Sequence, residues 1–238
     1  MNSNLKFPII IALDYNSMGK AIKMARQLDP ARCAVKVGKQ LYTKCGPKVV
    51  KKLIKLGFKV FLDLKFHDIP NTVAAACCEA AKLGVWMINM HASGGRKMME
   101  KAREEVDALE LSNPPLLIAV TILTSLEQED IDETGLSGTP ADNVLRLAKL
   151  AHSSGMDGVV CSTQEPTLLR EKIPSDFLLV TPGARSAGAD KHDQARTTTP
   201  AGAIESGSDF LVIGRQVTTA PDPMEALAEI EAEITSVQ

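Results

Sequence analysis

Lys59-Val60-Phe61-Leu62-Asp63-Leu64-Lys65-Phe66-His67-Asp68-Ile69-Pro70-Asn71-Thr72 reads as a buried strand handing over to a helix. Lys59 to Leu62 has strand character. An Ala-rich helical stretch, Val73 to Leu83, follows and stops at Gly84. Alternate side chains of a strand share a face, so Asp63 and Lys65 point one way. Leu62, Leu64 and Phe66 point the other way, towards an apolar layer. Opposite charges at the end of a core strand are costly unless paired, so each needs a partner or a task. Asp68 adds a second carboxylate before Pro70. Two readings stand side by side. One is a salt bridge at a strand end, with Asp68 capping the next helix. The other is a catalytic lysine that nearby carboxylates keep protonated. Such a lysine can donate a proton but is a poor Schiff-base nucleophile, which needs the neutral amine.

The same strand-to-helix pattern recurs on both sides. Ile9 to Leu13 and Cys33 to Gly38 precede it as buried runs. Val85 to Ala92, Leu116 to Leu123, Gly158 to Cys161, Phe177 to Val180 and Phe210 to Ile213 follow it. Helical stripes lie between, such as Val49, Val50, Leu53, Ile54 and Leu56, with Gly57 at the C-terminal end. Thr139-Pro140-Ala141-Asp142 has the residues of a capping box, and Asp222-Pro223 opens the last helix. Near-continuous apolar strands alternating with helices are the signature of a parallel sheet buried on both faces. The count and spacing predict an α/β fold, a single (β/α)8 TIM barrel over residues 1–238 forming one catalytic domain. A doubly wound open sheet is the alternative. Neither GxGxxG after the first strand nor a Walker-type GxxxxGK[ST] occurs to favour it.

Hydrophobic residues make up 45% of the chain and the formal net charge is −2. That balance does not point to nucleic acid or an anionic membrane as a partner. The five cysteines are odd in number and form no CxxC, which argues against a disulfide framework or structural zinc and fits a reducing cytoplasm. The apolar run near the start, Pro8 to Leu13, is too short for a secretory leader or a membrane span.

In a (β/α)8 barrel the C-terminal strand ends share one mouth, where active sites sit. Those ends bring Asp14, Lys36, Asp63 with Lys65, Asn89 with His91, Thr124 with Ser125, Pro182, and Gly214 with Arg215 to one place. Asp14, Lys36, Asp63 and Lys65 alternate in charge, so neighbours can hold each member ionised. The loops after the seventh and eighth strands commonly bind phosphate. Thr181 to Thr199 carries Arg185, Gln194 and Arg196 among small residues, which reads as a lid closing on an anion. Gly214 lets backbone approach a ligand, and Arg215 can fork onto phosphate oxygens. A rim salt bridge is the plainer reading of Arg215. His67, His91, His152 and His192 show no HxxxH or HExxH spacing, so no metal site is expected. His91 reads as a structural histidine.

These motifs resemble the orotidine 5′-phosphate decarboxylase family over almost the whole chain. The resemblance rests on DLKFHDIPNT (63–72), IALD (11–14), VKVG (35–38), NMHASGG (89–95), VTILTS (120–125), LVTPGAR (179–185) and GSDFLVIGR (207–215). It implies decarboxylation of orotidine 5′-phosphate to UMP and CO2, with no cofactor and no metal. Lys65 would protonate C6, and Asp63 would lie beside the substrate carboxylate. Lys36 would link Asp63 to the ribose hydroxyls, with Asp14 as the other ribose contact. Thr124 and Ser125 would meet the pyrimidine, Pro182 would be a further substrate contact, and Arg185, Gln194, Gly214 and Arg215 would form the phosphate clamp and lid. Asp68 and Thr72 would reach into the site of a second copy, making a homodimer. Ala184, where a larger aliphatic residue is common, and Gln216, where Pro or Ser is common, depart from the pattern. Sharing DxKxxD are metal-dependent sugar-phosphate barrels, 3-keto-L-gulonate 6-phosphate decarboxylase and hexulose-phosphate synthase. A class I aldolase and a catalytically silent nucleotide-binding barrel are the further alternatives.

Overall fold

The chain is described by a computed structural model that covers residues 8–186 and 198–237. Eight parallel strands close on themselves in sequence order: β1 Ile9–Ala12, β2 Ala34–Gly38, β3 Val60–Phe66, β4 Met87–His91, β5 Leu116–Val120, β6 Gly158–Val160, β7 Leu178–Pro182 and β8 Phe210–Ile213. The expected barrel is therefore the observed one. Between the strands run α1 Met18–Ala25, α2 Lys39–Cys45, α3 Pro47–Lys55, α4 Pro70–Lys82, α5 Arg96–Asp107, α6 Gln128–Glu133, α7 Pro140–Ser153, α8 Pro166–Arg170, α9 Pro200–Glu205, α10 Arg215–Thr218 and α11 Pro223–Thr235.

Two apolar layers follow from the period of a strand. Ile9 and Ile11 face out and join the layer between strands and helices. Ile10 and Ala12 face in and pack with Phe61, Met87, Ile118, Val180 and Phe210. The interior is thus a packed plug rather than a pore. At its foot Trp86 meets Phe210 edge-on, with ring centroids 5.2 Å apart.

Two matching clamps close the same end. Asp157, just before β6, accepts the Leu117 N–H at 2.7 Å and an Arg103 N–H at 3.0 Å. Asp209, just before β8, accepts the Leu179 N–H at 2.6 Å and an Arg170 N–H at 2.5 Å. In both, a helix arginine and a strand amide share one carboxylate oxygen. Each clamp therefore ties a helix to two neighbouring strands.

Helix starts follow their capping residues. Thr139 and Asp142 form the expected box: the Asp142 N–H donates to Thr139 Oγ1 at 3.2 Å and the Thr139 N–H to Asp142 Oδ2 at 2.9 Å. The Asp222 carboxylate accepts the N–H groups of Met224 and Glu225. The cap suggested for α4 differs. Ile69 is its N-cap residue, and among the described residues Asp68 accepts only the N–H of Ile69, at 2.7 Å. Asp68 sits one residue too early because Pro70 occupies the first helical position.

One irregularity shapes the mouth. β3 and β4 pair in register at Phe61–Met87 and Leu62–Ile88, then resume at Phe66–Met90. Asp63, Leu64 and Lys65 therefore stand opposite Asn89 alone. Lys65 absorbs the surplus by turning left-handed, with φ at 51°. Strict alternation, expected from the sequence, is lost at this point.

Candidate active site

β1, β2 and β3 place a charged row across the mouth. Lys36 points inward from β2 and is only 9% exposed. Its ammonium nitrogen lies 3.1 Å from Asp14 Oδ1 and 3.4 Å from Asp63 Oδ2. Asp63, 8% exposed, accepts from Lys65 Nζ at 2.5 Å on its other oxygen. The order is Asp14, Lys36, Asp63, Lys65, as the alternating charges suggest. The register explains it: Lys36 pairs with Phe61 while Gly38 pairs with Asp63, so the Asp63 side chain rises just above Lys36.

The two buried members of the row, Lys36 and Asp63, keep their charges by support from their neighbours. Burial opposes the ammonium of Lys36, but Asp63 and Asp14 outweigh it and raise its pKa above the ordinary lysine value. Burial likewise opposes the Asp63 carboxylate, yet Lys36, Lys65 and Asn89 bring its pKa below the ordinary value. At a 4 Å separation an ion pair gains about 4 kcal/mol at an effective dielectric near 20. Desolvation takes back much of that, so the row's main effect is to fix where charge sits.

These groups line a cavity of about 470 Å³ that also holds Thr124, Pro182, Arg185, Gly214 and Arg215. One chamber thus joins the ammonium–carboxylate row to two guanidinium groups. The stems of the loop after β7 meet beside it. Ala184 bridges Thr198, and the Arg185 N–H donates to the Thr198 carbonyl at 2.9 Å. A polar knot holds the first stem: Gln216 Nε2 donates to Ser186 Oγ at 2.6 Å, and Ser186 Oγ donates to Glu233 at 2.8 Å. The two departures from the family pattern sit here. Ala184 is 2% exposed in the bridge, and Gln216 builds the knot.

Asp14, Lys36, Asp63, Lys65, Thr124, Pro182, Arg185, Gly214 and Arg215 therefore share the chamber. Asp68, Thr72 and Ser125 are exposed and do not line it. Gln194 lies outside the described residues. His67 and His91 pack ring to ring with centroids 5.3 Å apart behind the row. Among the described residues no three His, Cys, Asp or Glu side chains gather as a cation site. Sequence reasoning brought Asn89 to the mouth but gave it no task. It is wholly buried, donates to Asp63 Oδ1 at 2.7 Å and accepts the Lys65 N–H at 2.8 Å. Its signal was an amide inside the apolar run Met87-Ile88-Asn89-Met90, since a buried amide needs partners.

Comparison with known proteins agrees with this geometry. The chain is 59% identical over 226 residues to the orotidine 5′-phosphate decarboxylase of Hydrogenovibrio crunogenus, covering 95% of each chain. It is 56% identical over 227 residues to that of Marinomonas sp., covering 95% of this chain and 96% of the relative. Among solved structures, orotidine 5′-phosphate decarboxylase from Lactobacillus acidophilus superposes with a TM-score of 0.85 at 40% identity, over 95% of this chain and 98% of that one. With residues 8–230 matching its profile, the chain belongs to the Orotidine 5′-phosphate decarboxylase / HUMPS family.

Proposed function

We propose that this barrel, acting as one catalytic unit, decarboxylates orotidine 5′-phosphate to UMP and CO2 in pyrimidine nucleotide synthesis. The observation that carries the reading is the shared chamber. An ammonium pinned to a carboxylate and two arginines suited to a phosphate line the same cavity. A substrate with a carboxylate at one end and a phosphate at the other matches that layout.

The chemistry asks for electrostatic help. Loss of CO2 from C6 leaves an electron pair in an in-plane orbital, with no π-system to accept it. A fixed ammonium stabilises that localised charge more than the delocalised carboxylate before it. In this reading Lys65 fills that place and then delivers its proton to C6. Asp63 stands by the leaving carboxylate and pins the Lys65 ammonium in place through their ion pair. Lys36 and Asp14 hold the ribose hydroxyls, and Thr124 with Ser125 meets the pyrimidine. Arg185, Gly214 and Arg215, joined by Gln194, hold the phosphate, and Pro182 lines the chamber beside the substrate. Binding free energy from that remote group orients the reacting carbon.

Asp68 and Thr72 complete the site of a second copy in a homodimer. Support for this is their exposure at a corner where Ile69, an apolar side chain, is 66% exposed. All five cysteines are unpaired and four are buried, which favours a reducing compartment, the cytoplasm. No described helix is long and apolar enough to cross a membrane.

The deciding experiment follows the loss of substrate absorbance with EDTA present. Turnover is expected. No loss of orotidine 5′-phosphate absorbance, with Mg²⁺-dependent and EDTA-sensitive turnover of 3-keto-L-gulonate 6-phosphate or a hexulose phosphate instead, would move the chain to the metal-dependent sugar-phosphate side of its family.

A further inference from the structure

We infer that Asn89 is a positioning residue of this site, whose one amide sets both the backbone of Lys65 and the carboxylate of Asp63. The inference rests on the decarboxylase reading and adds a residue to it.

Where β3 carries its surplus residues, the main-chain ladder to β4 is interrupted between Leu62 and Phe66. The Lys65 N–H, turned by its φ of 51°, needs another acceptor, and the Asn89 side-chain oxygen provides it at 2.8 Å. An L-residue in the left-handed region persists only where its surroundings over-determine it. Here the determinant is a side chain from the next strand. Chemistry also fixes which way the amide faces. A backbone N–H can only donate, so the amide oxygen faces Lys65, and the NH₂ faces Asp63 Oδ1 at 2.7 Å.

Asp63 Oδ1 therefore takes two donors, Lys65 Nζ and Asn89 Nδ2, while Oδ2 faces Lys36. That set leaves the carboxylate little freedom to rotate. Burial pushes Asp63 towards neutrality, and the Asn89 proton is among the contributions that reverse this. No other side chain of similar size does both tasks. Leucine offers neither donor nor acceptor. Aspartate keeps the acceptor but sets a second carboxylate against Asp63. Glutamine is one methylene too long for a pocket with no exposed surface.

The test compares Asn89→Leu and Asn89→Asp with the unaltered enzyme. Turnover of orotidine 5′-phosphate is followed from about pH 5 to about pH 9, with UMP affinity and Tm measured alongside. UMP lacks the 6-carboxylate, so its affinity reports the ribose and phosphate contacts. The Leu variant should lose about 100-fold in kcat, the scale of a misplaced catalytic group, while its UMP Kd stays within about threefold. The Asp variant should lose at least about tenfold, and the acid limb of its kcat/KM profile should move to higher pH. A merely structural role would lower kcat, UMP affinity and Tm together and leave the limb in place; that result overturns the inference. So does a kcat loss below about tenfold in both variants. Should the Leu variant fail to fold, the near-isosteric Asp variant decides by the same two criteria. Absent turnover in the unaltered enzyme would instead overturn the decarboxylase reading, and this inference with it.

Discussion

Lys65 Nζ lies 2.5 Å from Asp63 Oδ1, and both side chains arise from the only stretch of β3 that leaves its register with β4. The pair is local in sequence, yet Lys36 and Asn89, from both neighbouring strands, hold its geometry. Removing the ammonium leaves Asp63 its contact with Lys36. Lys65→Ala should therefore fold normally and, under the proposed mechanism, lose at least about 10³-fold in kcat, because there proton donation and charge stabilisation go together. Circular dichroism and the absorbance assay check both parts. Turnover near the normal rate in a folded variant would remove Lys65 from the mechanism.

Legibility from sequence followed the strength of the local signal. β8 ran from Phe210 to Ile213 as read, because Asp209 and Gly214 bound a wholly apolar run. The fifth strand looked longer than it is, since Ile122 and Leu123 continue the apolar run past Val120 but climb over the mouth, with Leu123 38% exposed. α2 gave no stripe to detect because Leu41 is its only buried residue. Charged groups at strand ends were legible as a set, since barrel topology alone gathers them. The bulge was not: Asp-Leu-Lys-Phe alternates as a regular strand does, and the surplus shows only in its pairing with β4.

The knot around Ser186 should govern substrate capture more than chemistry. Gln216 contacts the Ser186 main chain and hydroxyl but none of the charged row. Losing it frees the loop stem next to Arg185. Gln216→Ala should raise KM about 5- to 20-fold and change kcat less than about threefold, the pattern of lost uniform binding. Steady-state kinetics decide. An unchanged KM would mean that Glu233 and the Ala184–Thr198 bridge hold the stem without it.

The foot of the barrel should answer through stability alone. Asp209→Ala takes an acceptor from the Leu179 N–H and the counter-ion from Arg170. Leu179 is buried and Arg170 partly so, and the expected cost is about 2–3 kcal/mol. For a chain of this size that lowers Tm by roughly 4–12 °C. KM should not move, because the clamp lies at the opposite end of the strands from the chamber. A change in KM without a change in Tm would contradict this assignment.

His91 should make stability fall on mild acidification. Burial first, then the charges of His67, Lys39 and Lys65, push its pKa down to about 4, with Asp63 opposing. The unfolded chain takes up a proton near the ordinary value of about 6.5, whereas the folded chain resists until about 4. Stability present above the unfolded value is lost as pH falls through that window. After allowance for the water around a partly exposed ring, the loss is on the order of 1 kcal/mol. Tm at about pH 7 and about pH 4.5 measures it, and His91→Gln should flatten the slope. Equal slopes in both proteins would assign the effect to other groups.

Asp68 offers the sharpest test of whether one chain makes a whole site. Its carboxylate is exposed, accepts among the described residues only the N–H of Ile69, and stays outside the chamber that its own Lys65 lines. If Asp68 serves a second copy, Lys65→Ala and Asp68→Ala should complement each other. In a heterodimer the Asp68→Ala subunit keeps its own Lys65 and receives Asp68 from the other chain, so one of the two sites is intact. Random exchange of equal amounts makes half the dimers mixed, so activity should return to about one quarter of normal. Each variant alone stays near zero because each homodimer lacks one group at both sites. Proven subunit exchange with no recovery would place Asp68 within its own chain. It would also leave the exposed Ile69 beside it without the interface that explains it.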